Sequence, residues 1–207
     1  MLLTKIKEEL DSLYDDLREA AESSTAAEPE AAEETEDAQE AALEPEEPQA
    51  AAESEEASGE AQESAEEETP SEEPEPIGPQ ETDYQAKGYH LDAALEPEKV
   101  VAAAEILSKQ GFFIEAVTGV DWIDDGQMEV VYDFNHFDEL CRVVIRSRLD
   151  RDNPEVPTIS HVYQGADWHE RETHDFFGIK FIGHPDLSPL LLPEDADFHP
   201  LRKDFTP

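Results

Sequence analysis

Cysteine is nearly missing from this chain of 207 residues: Cys141 stands alone. One thiol cannot form an intrachain disulfide or assemble a Cys-built zinc or iron-sulfur site, and this usage fits a reducing compartment. Basic residues are also scarce, with 14 Lys and Arg against 54 Asp and Glu, for a formal net charge of -40. Nucleic-acid binding needs clustered Lys and Arg against phosphates, so this balance argues against it. No apolar run approaches the roughly 20 residues that span a bilayer, and the N-terminus lacks the basic start, apolar stretch and small-residue cleavage site of a signal peptide. The expectation is a cytoplasmic chain that reaches a membrane only through a partner.

The scarcity of positive charge is uneven. Between Arg18 and Lys87 there is no Lys or Arg at all, and Glu, Ala, Ser and Pro make up nearly everything. Such a segment cannot bury enough apolar surface to offset roughly 1–2 kcal/mol of backbone entropy per ordered residue. The reading is therefore a short amphipathic helix over 1–18, a disordered acidic linker over 19–86 and one folded domain over 87–207. In the first segment Leu3, Ile6, Leu10, Leu13 and Leu17 recur at alternating spacings of three and four, which forms one apolar stripe on a helix. That helix either folds back on its own domain or docks in a partner's groove.

The domain reads as α+β. Pro97 and Gly111 bracket a helix that carries Val100, Val101, Ala104, Ile106 and Leu107. Strands follow over 113–120, 128–134 and 140–149, joined by a turn at Asp124-Asp125-Gly126 and a connection over 135–139. The prediction is an antiparallel or mixed sheet meander with packed helices and an extended C-terminal tail. Arg142, Arg146 and Arg148 are placed to pair with Glu129 and Asp133 on the solvent face. Pro154 and Pro157 break regular structure, a turn of helix is expected over 158–163, and a helix runs over 166–176 to a stop at Gly178. Residues 179–182 read as a short edge strand, before a Pro-rich extended segment.

The search for chemistry returns little. His161, His169, His174, His184 and His199 invite a metal hypothesis, but His169 and His174 are five apart and fall on different helix faces. Glu170 and Glu172 point roughly 200° apart on one helix turn and cannot flank one bond. No glycine-rich phosphate loop and no Ser or Cys nucleophile in a strand-turn-helix context is present. No catalytic, metal-binding or cofactor-binding residue is assigned.

What the tail does hold is order. The run Glu170-Arg171-Glu172-Thr173-His174-Asp175-Phe176-Phe177-Gly178-Ile179 leads into Gly183-His184-Pro185-Asp186-Leu187 and then His199-Pro200-Leu201-Arg202-Lys203-Asp204-Phe205. These three motifs in sequence resemble the C-type subunit of the proton-translocating NADH:quinone oxidoreductase, respiratory complex I, and its relatives in membrane-bound energy-converting hydrogenases. The resemblance covers about 89–205. It departs at Ser188-Pro189, where the family usually carries basic residues, and at Phe198, where a Gly usually precedes the His. The long acidic segment is no part of the family pattern.

The resemblance implies a non-catalytic, cofactor-free subunit of the peripheral arm, on the cytoplasmic side of the membrane. NADH, FMN, iron-sulfur clusters and quinone would belong to the surrounding complex. Its implied partners are the D-type large subunit of the quinone site and the B-type iron-sulfur subunit. The residues expected to face partners are Glu170, Arg171, Glu172, Asp175, Gly178, His184, Pro185, Asp186, His199, Arg202, Lys203 and Asp204. Glu170, Arg171, Glu172 and Asp175 would form a buried or interfacial ion-pair network. Arg202 and Lys203, expected to have few intrachain neighbours, would clamp a partner's carboxylates. The alternatives are that Glu170 to Asp175 satisfy themselves within the domain, that the chain serves a hydrogenase or another donor:quinone complex, or that it is a free-standing acidic adaptor.

Overall fold

Alternation along two strands sets the architecture of the chain. In β4 (Gln127–His136) Met128, Val130, Tyr132 and Phe134 point to one face; in β5 (Arg142–Asp150) Val143, Ile145, Ser147 and Leu149 point to the same face. The antiparallel register sets Met128 opposite Leu149, Tyr132 opposite Ile145 and Phe134 opposite Val143, so the apolar side chains stack across the ladder. A computed structural model describes residues 1–18 and 78–206. Most of the expected acidic linker, 19–77, lies outside the described residues.

The chain order is α1 (Leu2–Asp11), continued by a 3₁₀ turn over Ser12–Tyr14, then β1 (Gln80–Glu81), α2 (Tyr84–Lys87) and β2 (Leu91–Ala94). A 3₁₀ turn over Pro97–Lys99 leads into α3 (Val100–Lys109), β3 (Phe112–Trp122), β4 and β5. Finally come β6 (Glu155–Pro157), α4 (Ala166–Phe177) and β7 (Lys180–Ile182). The five-stranded sheet has the order β1-β2-β5-β4-β3, with the expected meander β3-β4-β5 as its antiparallel half. β2 joins β5 in parallel, and β1 pairs antiparallel with β2. β6 and β7 form a separate parallel pair.

Three boundaries differ from the sequence reading. Ordered structure resumes before residue 87, because β1 and α2 lie within the span assigned to the linker; the Asp83 side chain caps α2 by accepting from Gln85 N–H. β2 was not expected, since four residues with two alanines carry no period of their own, and only pairing with β5 makes them a strand. The Pro-flanked stretch 154–157 also holds a strand, because its central residue, Val156, is fully buried against β7.

α1 folds back on its own domain. Ile6, Leu10 and Tyr14 are buried and join one core with Leu91, Leu107, Val143 and Ile145, while Leu3, Leu13 and Leu17 pack at its margin. Polar contacts rim the apolar seat: Lys7 with Glu81, Lys99 with Asp16, and Gln110 donating to Glu9. The helix ends beside the point where the described chain resumes. A Cβ placed on Gly78 would lie 3.0 Å from both Arg18 Nη2 and Asp11 Oδ1.

The opposite face of the sheet carries a ladder of charge. Arg148 pairs with Glu129, Arg142 with Asp133, and Arg146 principally with Asp92 of β2. Arg148 also lies over the Trp122 ring, whose Nε1–H donates to Glu129.

Candidate functional site: the α4 and tail scaffold

α4 packs along β3 at the edge of the sheet. Contact is close because Gly119 has no side chain: a Cβ there would fall 2.5 Å from the Phe177 ring. Thr173 adds a hydrogen bond to the Val117 carbonyl. At its C-terminus the helix ends on Gly178, whose φ of 76° favours glycine and whose N–H returns to His174 O. A Cβ on Gly178 would also meet His199 and Arg202 within 2.7 Å. Gly178 is thus needed twice, by the helix cap and by the tail that crosses it.

The family-like charged residues divide into two groups. Glu170 and Asp175 face inward. Glu170 is fully buried: Oε2 accepts from the Thr158 hydroxyl and Oε1 accepts from Ile159 N–H at 2.8 Å. Burial pushes its carboxyl up to about 7, against the downward pull of those two hydrogen bonds. Asp175 Oδ2 accepts three backbone N–H groups in a row, from Leu190, Leu191 and Leu192 at 2.9, 2.8 and 3.2 Å. One carboxylate thereby fixes the start of the tail. In this conformation both groups satisfy themselves within the domain.

His184 is also internal. Its side chain is fully buried, and Nδ1 accepts from Asp186 N–H at 3.1 Å, which leaves the ring proton on Nε2. That nitrogen has no hydrogen-bond partner; the carboxylate oxygens within 4 Å are Asp167 Oδ1 at 3.5 Å and Glu170 Oε2 at 3.7 Å. Asp186 Oδ1 accepts from Ser188 N–H, and this bond holds its carboxyl below the usual range. Arg171 reaches Ser188 O at 3.1 Å, so the position where a basic residue is usual is occupied by an acceptor for a helix arginine.

The tail has more intrachain partners than expected. Arg202 Nε donates to the Phe177 carbonyl at 2.7 Å, capping the end of α4. His199 Nδ1–H donates to the Asp175 carbonyl. Lys203 N–H donates to Asp121, and Asp204 pairs with Arg151 at 2.8 Å. The expectation that Arg202 has few intrachain neighbours is corrected here: a helix C-terminus offers unsatisfied carbonyls, and the tail folds back onto them. The Lys203 side chain remains exposed, with Nζ 6.0 Å from the Trp122 ring centroid. Glu172 and Pro185 are exposed as well.

Two residues that matter here escaped sequence reasoning. Asp121, its side chain almost entirely buried, takes both Arg151 Nε and Nη2 at 2.8 and 3.0 Å, as well as Lys203 N–H. The Arg151 guanidinium holds the Asp121 carboxyl below the usual carboxylate range. A lone Asp near the end of one strand and an Arg just past another carry no local signal; only sheet pairing brings them together. Among the described residues no group of three or more His, Cys, Asp or Glu is placed to hold a metal ion, and no helix is long and apolar enough to cross a membrane.

These features define a small α+β protein whose ordered polar groups largely hold its own C-terminal segment in place. Residues 93–207 match the family described as respiratory-chain NADH dehydrogenase, 30 Kd subunit, and the chain belongs to that family. It is 40% identical over 119 residues to the C-type subunit of NADH-quinone oxidoreductase from Roseiflexus sp. (strain RS-1), covering 55% of this chain and 68% of the relative. It is 38% identical over 118 residues to the C-type subunit of F(420)H(2) dehydrogenase from Methanosarcina mazei, covering 56% and 75%. Among solved structures, it superposes on a chain of the membrane-bound sulfane sulfur reductase, an archaeal respiratory membrane complex. The TM-score is 0.52 at 28% identity, over 56% of this chain and 71% of the other.

Proposed function

We propose that the chain is a non-catalytic structural subunit in the peripheral arm of a proton-translocating NADH:quinone oxidoreductase, on the cytoplasmic side of the membrane. There it docks the D-type large subunit of the quinone site and the B-type iron-sulfur subunit. Electrons pass from NADH through FMN and iron-sulfur clusters to quinone in the other subunits of the complex. The observation that carries the reading is the family match over 93–207, which takes in α4 and the whole tail. The docking face is what the scaffold leaves outside: Glu172 on α4, Pro185, and Lys203 with the outer edge of Arg202. Glu170, Asp175, His184 and Gly178 hold that face in shape from within.

Purification through a tag on this chain, with identification of the co-purifying subunits, tests the proposal. NADH-binding and quinone-site subunits are expected, and a chain recovered alone as a stable monomer would overturn it. The relatives in F(420)H(2) dehydrogenase and in a sulfane sulfur reductase favour a second reading, the same role in a complex fed by another donor. The donor-side subunits recovered in the same experiment separate the two.

A further inference from the structure

Beside the buried Glu170 and His184 lies a surface groove of about 540 Å³. Its walls are Ser160, His161 and Gln164 before α4, Asp167 and Trp168 in its first turn, and Gly183 and Pro185. Two of its side chains stand out. Trp168 is 60% exposed, although burying an indole is worth far more than leaving it in water. The Asp167 side chain, 37% exposed, has no basic side chain within 4 Å among the described residues other than the His184 ring at 3.5 Å. No Lys or Arg lines the groove.

We infer that this groove receives a single lysine or arginine side chain from the partner subunit, seated between the Asp167 carboxylate and the Trp168 ring; the inference rests on the docking reading above. Charge complementarity selects the occupant. A carboxylate beside an exposed indole suits a cation, which gains an ion pair and a cation-π contact at once. The ring already accepts one such group: Arg171 approaches it at 5.5 Å, but that guanidinium is held by Ser188 and does not line the groove. His184 lies buried behind Asp167. Its Nε2 stands 3.5 Å from Asp167 Oδ1 and 3.7 Å from Glu170 Oε2 without a hydrogen bond to either, so the Asp167 carboxylate is left without a short ion pair of its own. Aromatic anchors of this kind dominate interface energetics, and the surplus of acid in the chain draws a basic surface toward it.

The chain has two tryptophans, so its ¹⁵N–¹H spectrum holds two indole signals. Titration of the full chain with N-acetyl-arginine amide should shift the Trp168 signal saturably in the millimolar range, while the neutral N-acetyl-glutamine amide leaves it in place. Trp122, flanked by Arg148 and Lys203, serves as the internal control and should not respond. Asp167→Asn should weaken the Trp168 response at least about fivefold, and salt should weaken it further. Equal responses to the two probes, or an unchanged response in Asp167→Asn, overturn the inference.

Assembly supplies the second arm. The unaltered tagged chain must first recover its partner subunits, and failure at that step removes the docking reading itself. Given recovery, Asp167→Lys should lose the partner and Trp168→Leu should weaken it, with both variants melting as the unaltered chain does. A complex as abundant from Asp167→Lys as from the unaltered chain overturns the groove while leaving the docking reading intact.

Discussion

The two ends of this chain are fastened to the same sheet by opposite means. α1 is held by shape and apolar burial: Ile6, Leu10 and Tyr14 enter the core, and its polar contacts lie at the rim. The tail is held by directed polar contacts: Asp175 on three backbone N–H groups, Arg202 on a helix carbonyl, and Asp121 on Arg151 and Lys203. Apolar attachment is non-directional and insensitive to charge state, so it tolerates drift in register. Attachment through carboxylates fixes position and orientation but depends on protonation. The docking face proposed for the tail would need the second kind.

The comparison breaks most visibly at Leu10. Leu10→Asp buries an unpaired carboxylate in the shared core and should cost about 4–5 kcal/mol or more, unfolding the whole domain in a thermal melt followed by circular dichroism. If the domain melts normally without α1, the helix is a peripheral attachment and the contrast fails.

Next in size is the pH response of Glu170. Its carboxyl titrates near 4.5 when free and near 7 when folded, faced by Asp167 on α4, by His184 and by the Tyr132 hydroxyl below. Below pH 4.5 it is protonated in both states and its contribution is full. Between about 4.5 and 7 the folded protein keeps a proton that the unfolded chain releases, so stability falls as pH rises, by up to about 3 kcal/mol. Glu170→Gln should flatten that limb in denaturant titrations across the range. Asp121 acts oppositely, since its lowered carboxyl loses its contribution only in acid.

Asp175→Asn probes the tail alone. The three N–H groups lose their charged acceptor at about 1–3 kcal/mol, and the loss should register as faster proteolysis within 188–205 while the global melt moves little. A global loss as large as that of Leu10→Asp would mean that the tail belongs to the core. The smallest effect is expected from the acidic tract. Replacing 19–77 by a Gly/Ser linker of about sixteen residues shortens a loop roughly fourfold, and should raise stability by about 1 kcal/mol if the tract is the flexible segment its composition predicts. A drop in melting temperature would show that the tract makes contacts.

Legibility in the sequence followed the range of the forces involved. The meander and α4 were readable because alternation from Met128 to Phe134, and the stop at Gly178, are local signals. β2 and β6 were not, since Leu91–Ala94 and Glu155–Pro157 become strands only by pairing with distant partners. The stripe of α1 announced a helix but not its seat. Of the charged motif, the residues were readable but their partners were not: only Thr158 and Ile159, twelve and eleven residues upstream, make Glu170 an interior group held by uncharged donors.

The juxtaposition of Arg18 and Gly78 has a thermodynamic consequence of its own. Because residues 18 and 78 stand side by side, a single proteolytic cut between them would sever the covalent chain while leaving in place the contacts of α1 with the sheet among the described residues. Folding would then become an association between a peptide carrying α1 and a fragment carrying the sheet. The melting temperature of the nicked protein would depend on its concentration, by mass action, where that of the intact chain does not.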